Sequence, residues 1–264
     1  MSETPPIPNT NGDFYVGYLP IPASHRRFII FFVLFAAIWS LGMATIITLT
    51  MRSPGTAQWN TGSMQTWVGT LIEKPYPMLV PDDPNEPALL VVEMGKRGAH
   101  ERLTPYFNQQ VQLQGYELNR DARRMIELDT HEDAITLASN QSTDQTIQWT
   151  TFTPTNTITT IGEIVDGKCY LGAMKPADGI GHRACAVLCI RGGLPPMFVT
   201  IDDNGNRSYA LLLIDGSTTL DEHALKLVGQ PCIITGQYSQ FHGINIFHTT
   251  KSAIHPLKPS ENTP

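Results

Sequence analysis

Residues 197–249 read MFVTIDDNGNRSYALLLIDGSTTLDEHALKLVGQPCIITGQYSQFHGINIFHT, and this stretch decides the fold. Four of its segments alternate apolar and polar residues, as half-buried strands do, and the helical segment Thr219–Val228 separates the first two from the last two. With Ile158–Val165 upstream, the strands are Met197–Asp202, Tyr209–Ile214, Cys232–Tyr238 and Ile244–Thr249. Strands followed by one helix and two closing strands are typical of a small five-stranded barrel of the OB type.

A similar set of strands precedes this one. The alternation recurs in Trp67–Glu73, Leu89–Met94, Val111–Leu118 and Met125–Asp129. The more polar segment Gly95–Gln109 predicts a short helix among them. The runs QQVQLQGY from Gln109 and QPCIITGQ from Gln230 share a Gln, alternating apolar positions and a Gly at one offset. A tandem duplication explains this match, although any two antiparallel hairpins share such alternation. We therefore expect a mainly β protein with two tandem small OB-like β-barrels.

The second barrel carries a long insertion, residues 166–196, which holds three of the four cysteines. His182, Cys185 and Cys189 are spaced i, i+3, i+7, so they share one face if HRACAVLCI is a helix. Gly192 and the residues after it would end that helix. With Cys169 the three would form a Cys3His set suited to zinc or another thiophilic ion. The thioether of Met174 nearby would favour copper as Cu(I).

Two other roles for these cysteines stay open. In an oxidising compartment Cys169 would form a disulfide with Cys185 or Cys189 and pin the insertion to the barrel. A bond between Cys185 and Cys189, one helical turn apart, would be strained. The third alternative is a redox-active dithiol. Cys232 lies on an alternating strand, which favours core packing.

The remaining candidate side chains carry weaker signals. His242 and His248 flank the last strand, where exposed loop histidines are commoner than ligands. Glu163 and Asp166 bracket the end of a strand, and Asp166-Gly167 is typical of a turn. The sequence contains no Gly-rich phosphate loop, Ser nucleophile elbow or HExxH motif, which disfavours an enzyme.

The N-terminal region contains a membrane segment. Phe28–Thr50 reads FIIFFVLFAAIWSLGMATIITLT, 23 residues without a charge, and about 20 suffice to span a bilayer. Arg26 and Arg27 precede the span and Arg52 alone follows it closely, so we expect the N-terminus in the cytoplasm. The rest of the chain would then lie in a periplasm or an equivalent compartment, attached to the inner membrane by a single pass.

The composition agrees with a folded exported domain. Hydrophobic residues make up 41% of the 264 residues and charged residues 16%, enough for a core. A net charge of −6 disfavours nucleic acid as a partner. The expected domains are a disordered tail 1–27, the span 28–50, a first OB-like domain 58–130, a linker 131–157 with extra strands, a second domain 158–252 and a disordered tail 253–264.

The insertion resembles a recurring domain of bacterial membrane-anchored proteins of unassigned function. The resemblance rests on Glu163–Met174, EIVDGKCYLGAM, and on His182–Pro196, HRACAVLCIRGGLPP. DFYVGYLPIP before the span and the PYPMLV and VEMGKRGA segments resemble the same family. The resemblance implies a small barrel, a membrane anchor and a role for Cys169, His182, Cys185 and Cys189.

These features together predict a membrane-anchored accessory or scaffold protein, not an enzyme, that faces the periplasm and associates with an oxidoreductase or a cofactor assembly. The expected partners are the lipid bilayer and a membrane or periplasmic protein complex. The alternative is a protein that itself binds metal, haem or electrons through the Cys/His insertion, with zinc or copper as the metal.

Overall fold

The computed structural model describes residues 23–50, 56–121, 123–138, 147, 149, 156–202 and 206–257. The chain forms two compact units, Met1–Ser53 and Pro54–Pro264. In the part of the chain that the structure describes, the first unit contains one long helix, and the second contains two β-sheets.

Helix α1, Ala23–Thr50, contains the predicted membrane segment. Its part His25–Thr50 is long and apolar enough to cross a membrane, and its most apolar window is entirely unburied. Thr45 and Thr48 donate their hydroxyls to the carbonyls four residues earlier, so these polar groups are satisfied within the helix itself. The predicted helix is confirmed, and it begins before Phe28.

Six strands form the first sheet. They are β1 (Gln58–Ile72), β2 (Met78–Pro81), β3 (Leu89–Val92), β4 (Gln110–Arg120), β5 (Arg123–Leu128) and β6 (Ile135–Leu137). The strand order is β1-β2-β3-β5-β4-β6, and β1 also pairs with β4. Hydrogen bonding therefore runs round a ring of five strands. Helix α2 (His100–Leu103) and the 3-10 turn Thr104–Tyr106 lie between β3 and β4, where the sequence predicts a short helix.

Five strands form the second sheet. They are β7 (Ile158–Asp166), β8 (Pro196–Ile201), β9 (Arg207–Ile214), β10 (Pro231–Phe241) and β11 (Ile244–Pro256). The sheet closes on itself in the order β10-β11-β9-β8-β7. Helix α4 (Glu222–Leu227) links β9 to β10, and the Asp221 side chain caps it by accepting from the Ala224 N–H. The insertion between β7 and β8 contains a π-helical turn, Cys169–Ala173, and helix α3, Arg183–Arg191.

The two sheets repeat each other in strand pairing. In each ring the third and fifth strands are parallel and the other pairs are antiparallel. Gly115 on β4 and Gly236 on β10 hold equivalent places, because a Cβ on either would lie 2.1 or 2.2 Å from a carbonyl oxygen of the next strand. These are the glycines of the two matching sequence runs, so the structure supports the duplication.

A second pair of glycines extends the repeat. Gly69 on β1 and Gly162 on β7 each approach a carbonyl of the following strand, with an added Cβ at 2.2 and 2.4 Å. They belong to the similar runs VGTLIE from Val68 and IGEIVD from Ile161, which the sequence analysis did not compare. The close approach excludes any side chain at these four positions.

Three hydrophobic cores hold the second unit together. One fills the first sheet around residues such as Leu71 and Leu113, and one fills the second sheet around Phe198 and Phe247. The third lies between the sheets, where residues of both pack with Cys169, Tyr170 and Leu171 of the insertion. We call it the inter-sheet core. Alternation along β1 separates two of the cores, since Leu71 faces one and its neighbour Ile72 the other.

Two expected boundaries need adjustment. Strand β11 continues to Pro256, and Leu257 donates its N–H to the Pro231 carbonyl, so the predicted disordered tail from 253 is wrong for its first residues. Of the predicted linker 131–157, residues 135–137 form the extra strand β6. Residues 139–146, 148 and 150–155 of that linker, with the tails 1–22 and 258–264, lie outside the described residues.

Candidate metal centre in the inter-sheet core

Three cysteines of the insertion come together. The Sγ atoms of Cys169, Cys185 and Cys189 all lie within 4.8 Å of one another. Cys169 and Cys189 are buried and Cys185 is partly exposed. Helix α3 supplies Cys185 and Cys189 one turn apart, and the π-helical turn supplies Cys169. We call these residues the three-cysteine cluster.

Helix α3, Arg183–Arg191, agrees within one residue at each end with the predicted helix HRACAVLCI, His182–Ile190. His182 is its N-cap residue, and Ala186 donates its N–H to the His182 carbonyl. The helix ends at Gly192, and Gly193 has a φ of +91°, a conformation that favours glycine. The helix end lies against the loop between β3 and α2, because a Cβ on Gly192 would be 1.8 Å from the Lys96 carbonyl oxygen. Cys185 and Cys189 therefore face a segment of the first sheet.

Lys96 of that loop contacts the cluster. Its Nζ lies 2.7 Å from Cys185 Sγ and 3.7 Å from Cys189 Sγ. The hydrogen bond to Cys185 raises the pKa of Lys96, so the ammonium form is favoured beside the sulfurs. An ammonium group at this distance stabilises thiolates, the form in which cysteine binds metals. Sequence spacing offers no signal for Lys96, since it lies 89 residues from Cys185.

A buried lysine next to Cys169 holds the same loop in place. Lys168 Nζ donates to the carbonyls of Glu93 and Gly95 at 2.8 and 2.9 Å and to Glu127 Oε1 at 3.0 Å. Only 4% of the Lys168 side chain and none of the Glu127 side chain is exposed. The insertion is thus tied to both the loop and strand β5 of the first sheet. No motif or spacing in the sequence marks Lys168 as part of the site.

His182 pairs with a carboxylate. His182 Nε2 lies 3.0 Å from Asp166 Oδ2, and the Cys169 N–H donates to Asp166 Oδ1 at 2.8 Å. Asp166, Cys169 and His182 form a second group whose ligand atoms lie within 4.8 Å of one another, and all three residues are buried. The four residues of the predicted Cys3His set therefore lie in two groups that share Cys169: one holds the three cysteines, and the other holds Cys169 and His182 with Asp166.

Asp166 has a larger role than the predicted turn. It is the last residue of β7 and is fully buried, and it binds both the start of the π-helical turn and His182. The Asp-Gly pair signals a local change of chain direction, but the contact with His182 depends on how the insertion folds back, which the sequence does not encode locally.

The structure contains no disulfide at bonding distance among the four cysteines, all of which are free thiols. The expected bond from Cys169 to Cys185 or Cys189 is therefore not formed here, although the sulfurs are neighbours. The thiols interact by hydrogen bonding instead. A hydrogen bond to Cys189, together with burial, raises the pKa of Cys169. The same hydrogen bond lowers the pKa of Cys189 to about 7, so Cys189 forms a thiolate more readily than Cys169 does.

The other predicted residues lie outside the cluster. Cys232 is fully buried in the core of the second sheet, as its strand position predicts. Met174 is 44% exposed, and its part as an auxiliary ligand stays a prediction. His242 occupies a turn with a φ of +42°, and His248 on β11 shares a hydrogen bond with Ser239. Glu163 accepts from the Gly179 N–H and so holds the loop of the insertion.

Comparisons of the chain with family models, with curated proteins and with solved structures found no match. The resemblance to bacterial membrane-anchored proteins stays a prediction, and the site has to be interpreted from its own chemistry.

Proposed function

We propose that this chain is a membrane-anchored accessory protein whose exported domain holds a thiophilic metal ion, zinc or copper, at Cys169, Cys185 and Cys189. The observation that carries the proposal is the mutual approach of the three sulfurs within 4.8 Å, in a buried place and without a disulfide. Thiolate sulfurs about 3.8 Å apart fit a single ion with metal–sulfur bonds near 2.3 Å. Lys96 offsets part of the negative charge of such a site.

The proposed architecture is two OB-type barrels in tandem. Two features support it: a ring of five strands in each sheet, and a parallel pairing of the third strand with the fifth. The helix between the third and fourth strands adds to this support, since α2 and α4 occupy that position in the two sheets. In this interpretation the cysteine insertion links the first two strands of the second barrel and packs against the first barrel.

The proposed location is the periplasmic side of the inner membrane or an equivalent compartment. The support is the length and apolar character of α1 and the greater number of positive charges before it. A reporter enzyme that is active only outside the cytoplasm, fused after Pro264, should be active. Activity of a cytoplasmic reporter at the same site would reverse the proposed orientation.

The metal proposal is tested by elemental analysis of the full chain purified in mild detergent. We expect about one equivalent of bound metal in the unaltered protein and loss of most of it in Cys185→Ser. Cys185 is partly exposed at the edge of the inter-sheet core, and serine has nearly the same shape, so this change should disturb the packing little. Cys232→Ala is the matched control, because Cys232 is a free cysteine outside the cluster. Equal metal content in all three proteins, or none in any, contradicts the proposal.

An accessory role is proposed instead of catalysis because the cluster is mostly covered. Two of the three sulfurs and both members of the Asp166–His182 pair are buried, which leaves little room for a substrate beside them. A buried ion held by one insertion is suited to storage, to electron transfer or to delivery within a membrane complex, such as an oxidoreductase or its assembly apparatus.

A further inference from the structure

The geometry points to monovalent copper, Cu(I), bound by the three thiolates alone, as the occupant of the three-cysteine cluster. This inference rests on the proposed metal-binding function and names the ion and its coordination number. It differs from the Cys3His set that the sequence predicts, because His182 is not a ligand in it.

His182 lies outside the mutual group of the three sulfurs. It groups within 4.8 Å with Cys169 and Asp166, but not with Cys185 and Cys189. In a tetrahedral site with Zn–S near 2.3 Å and Zn–N near 2.0–2.1 Å, every pair of ligand atoms is about 3.5–3.8 Å apart. His182 would have to move by about 1 Å or more to complete such a site, whereas the three sulfurs already lie within 4.8 Å of one another.

The surroundings of His182 oppose this movement. Its ring forms a hydrogen bond with Asp166, which is fully buried. Its backbone N–H donates to the Gly179 carbonyl at 3.0 Å. The residue is only 5% exposed and caps helix α3. Releasing the ring would leave one oxygen of the buried Asp166 carboxylate without this hydrogen-bond partner, which is unfavourable.

Both carboxylate oxygens of Asp166 already have hydrogen-bond partners. One of its oxygens accepts from the Cys169 N–H and the other contacts His182 Nε2. Binding a cation through Oδ1 would disturb the turn that presents Cys169, and binding one through Oδ2 would displace His182. The arrangement therefore offers three thiolates and, among the described residues, no free fourth His, Cys, Asp or Glu side chain grouped with them. Zinc in structural sites takes four ligands, whereas soft thiolates alone satisfy Cu(I).

Entry to the site is through Cys185. It is the one partly exposed member of the cluster, and Lys96 beside it is itself exposed. A Cu(I) ion would meet the Cys185 sulfur first and then pass to the buried sulfurs of Cys169 and Cys189, one helical turn or less away. The copper stays Cu(I) throughout, so binding requires no electron transfer. The thiols lose their protons to water as they bind the ion.

The test offers each metal separately to the full chain in detergent. Metal-free protein is incubated anaerobically under a mild reductant with Cu(I), or with zinc, and is then desalted and analysed for metal. We expect about one Cu(I) and less than a tenth of an equivalent of zinc to stay bound. Copper X-ray absorption should find three sulfur neighbours and no nitrogen. Cys185→Ser should lose copper, and Cys232→Ala should keep it.

The possible results separate the two proposals. Retention of one zinc, with a nitrogen neighbour in its absorption spectrum, would overturn the Cu(I) assignment while supporting the metal site. A nitrogen neighbour in the copper spectrum would overturn three-sulfur coordination alone. Retention of neither metal by folded protein would overturn both proposals, and the thermal unfolding of each sample establishes that it is folded.

Discussion

Replacing Lys168 by Met tests whether the insertion is fastened to the first sheet by one buried ion pair. Lys168 and Glu127 are 4% and 0% exposed, and their charged atoms lie 3.0 Å apart. The second oxygen of Glu127, Oε2, is buried without a hydrogen-bond partner among the described residues, so Lys168 is the main compensation for this carboxylate. Methionine keeps much of the length of lysine and removes the ammonium group, with its charge and its three hydrogen bonds.

Removing one member of a buried pair typically costs about 3–5 kcal/mol, because the other charge is left uncompensated. For a protein of this size each kcal/mol lowers the melting temperature by roughly 2–4 °C, so we expect a fall of roughly 6–20 °C. Two carbonyls, of Glu93 and Gly95, lose a donor in the same variant. The loop that carries Lys96 should therefore loosen, and metal retention should fall with the melting temperature.

The assay is thermal unfolding of the full chain in detergent, followed by intrinsic fluorescence. Lys226→Met, a change at an exposed lysine on α4, is the matched control and should fall within about 0.5 kcal/mol of the unaltered protein. The double variant Lys168→Met with Glu127→Gln should be more stable than Lys168→Met alone, since no buried charge then remains. If Lys168→Met has the same melting temperature as Lys226→Met, or if the double variant is less stable than Lys168→Met, the argument from buried charge is refuted.

Two further predictions concern close packing and pH. Gly192→Ala should destabilise the protein by about 1–3 kcal/mol in chemical unfolding, because its Cβ would lie 1.8 Å from the Lys96 carbonyl oxygen. Gly181→Ala is the control, since nothing lies within 4 Å of the added Cβ. Equal stability of the two variants would contradict the close contact at Gly192. Burial lowers the pKa of His248 to about 4, against about 6.5 in the unfolded chain. Between these two pH values the unfolded state binds more protons than the folded state, so the stability of the protein should fall as the pH drops from 7 toward 4. His248→Gln should reduce the difference in melting temperature between pH 7.5 and pH 5, and an unchanged difference would refute this assignment.

Alternation along the chain predicted strands such as β4 and β10, in which buried and partly exposed residues alternate. β4 and β10 have nearly identical burial patterns along their 11 residues, and both were recognisable as a repeat. Strand β2 was not predicted, because its sequence does not alternate. Its Met78, Leu79 and Val80 are all buried, since one face contacts the first core and the other the inter-sheet core, so no alternation remains in the sequence.

The site was predictable only as far as it is local. Helical spacing placed Cys185 and Cys189 on one face, and that part of the prediction is confirmed. The same spacing placed His182 with them, but the N-cap position and the bond to Asp166 direct its ring elsewhere. Lys96 and Lys168 act across the inter-sheet core, where contact depends on how two sheets pack, and no periodicity within one segment reports that.

The dependence of the cluster on both sheets gives the first sheet a defined role. All three cysteines belong to the insertion of the second sheet, yet the ammonium group beside them belongs to the first, and Lys168 reaches in the reverse direction. The Gly98 N–H of the first sheet's loop also donates to the Gly192 carbonyl of the insertion at 2.9 Å. The two backbones approach so closely that neither glycine has room for a Cβ. A second sheet expressed alone would keep the sulfurs but lose the charge that stabilises them as thiolates. The tandem arrangement is therefore a requirement of the proposed metal centre, and a change that separates the sheets should weaken metal binding without altering any ligand.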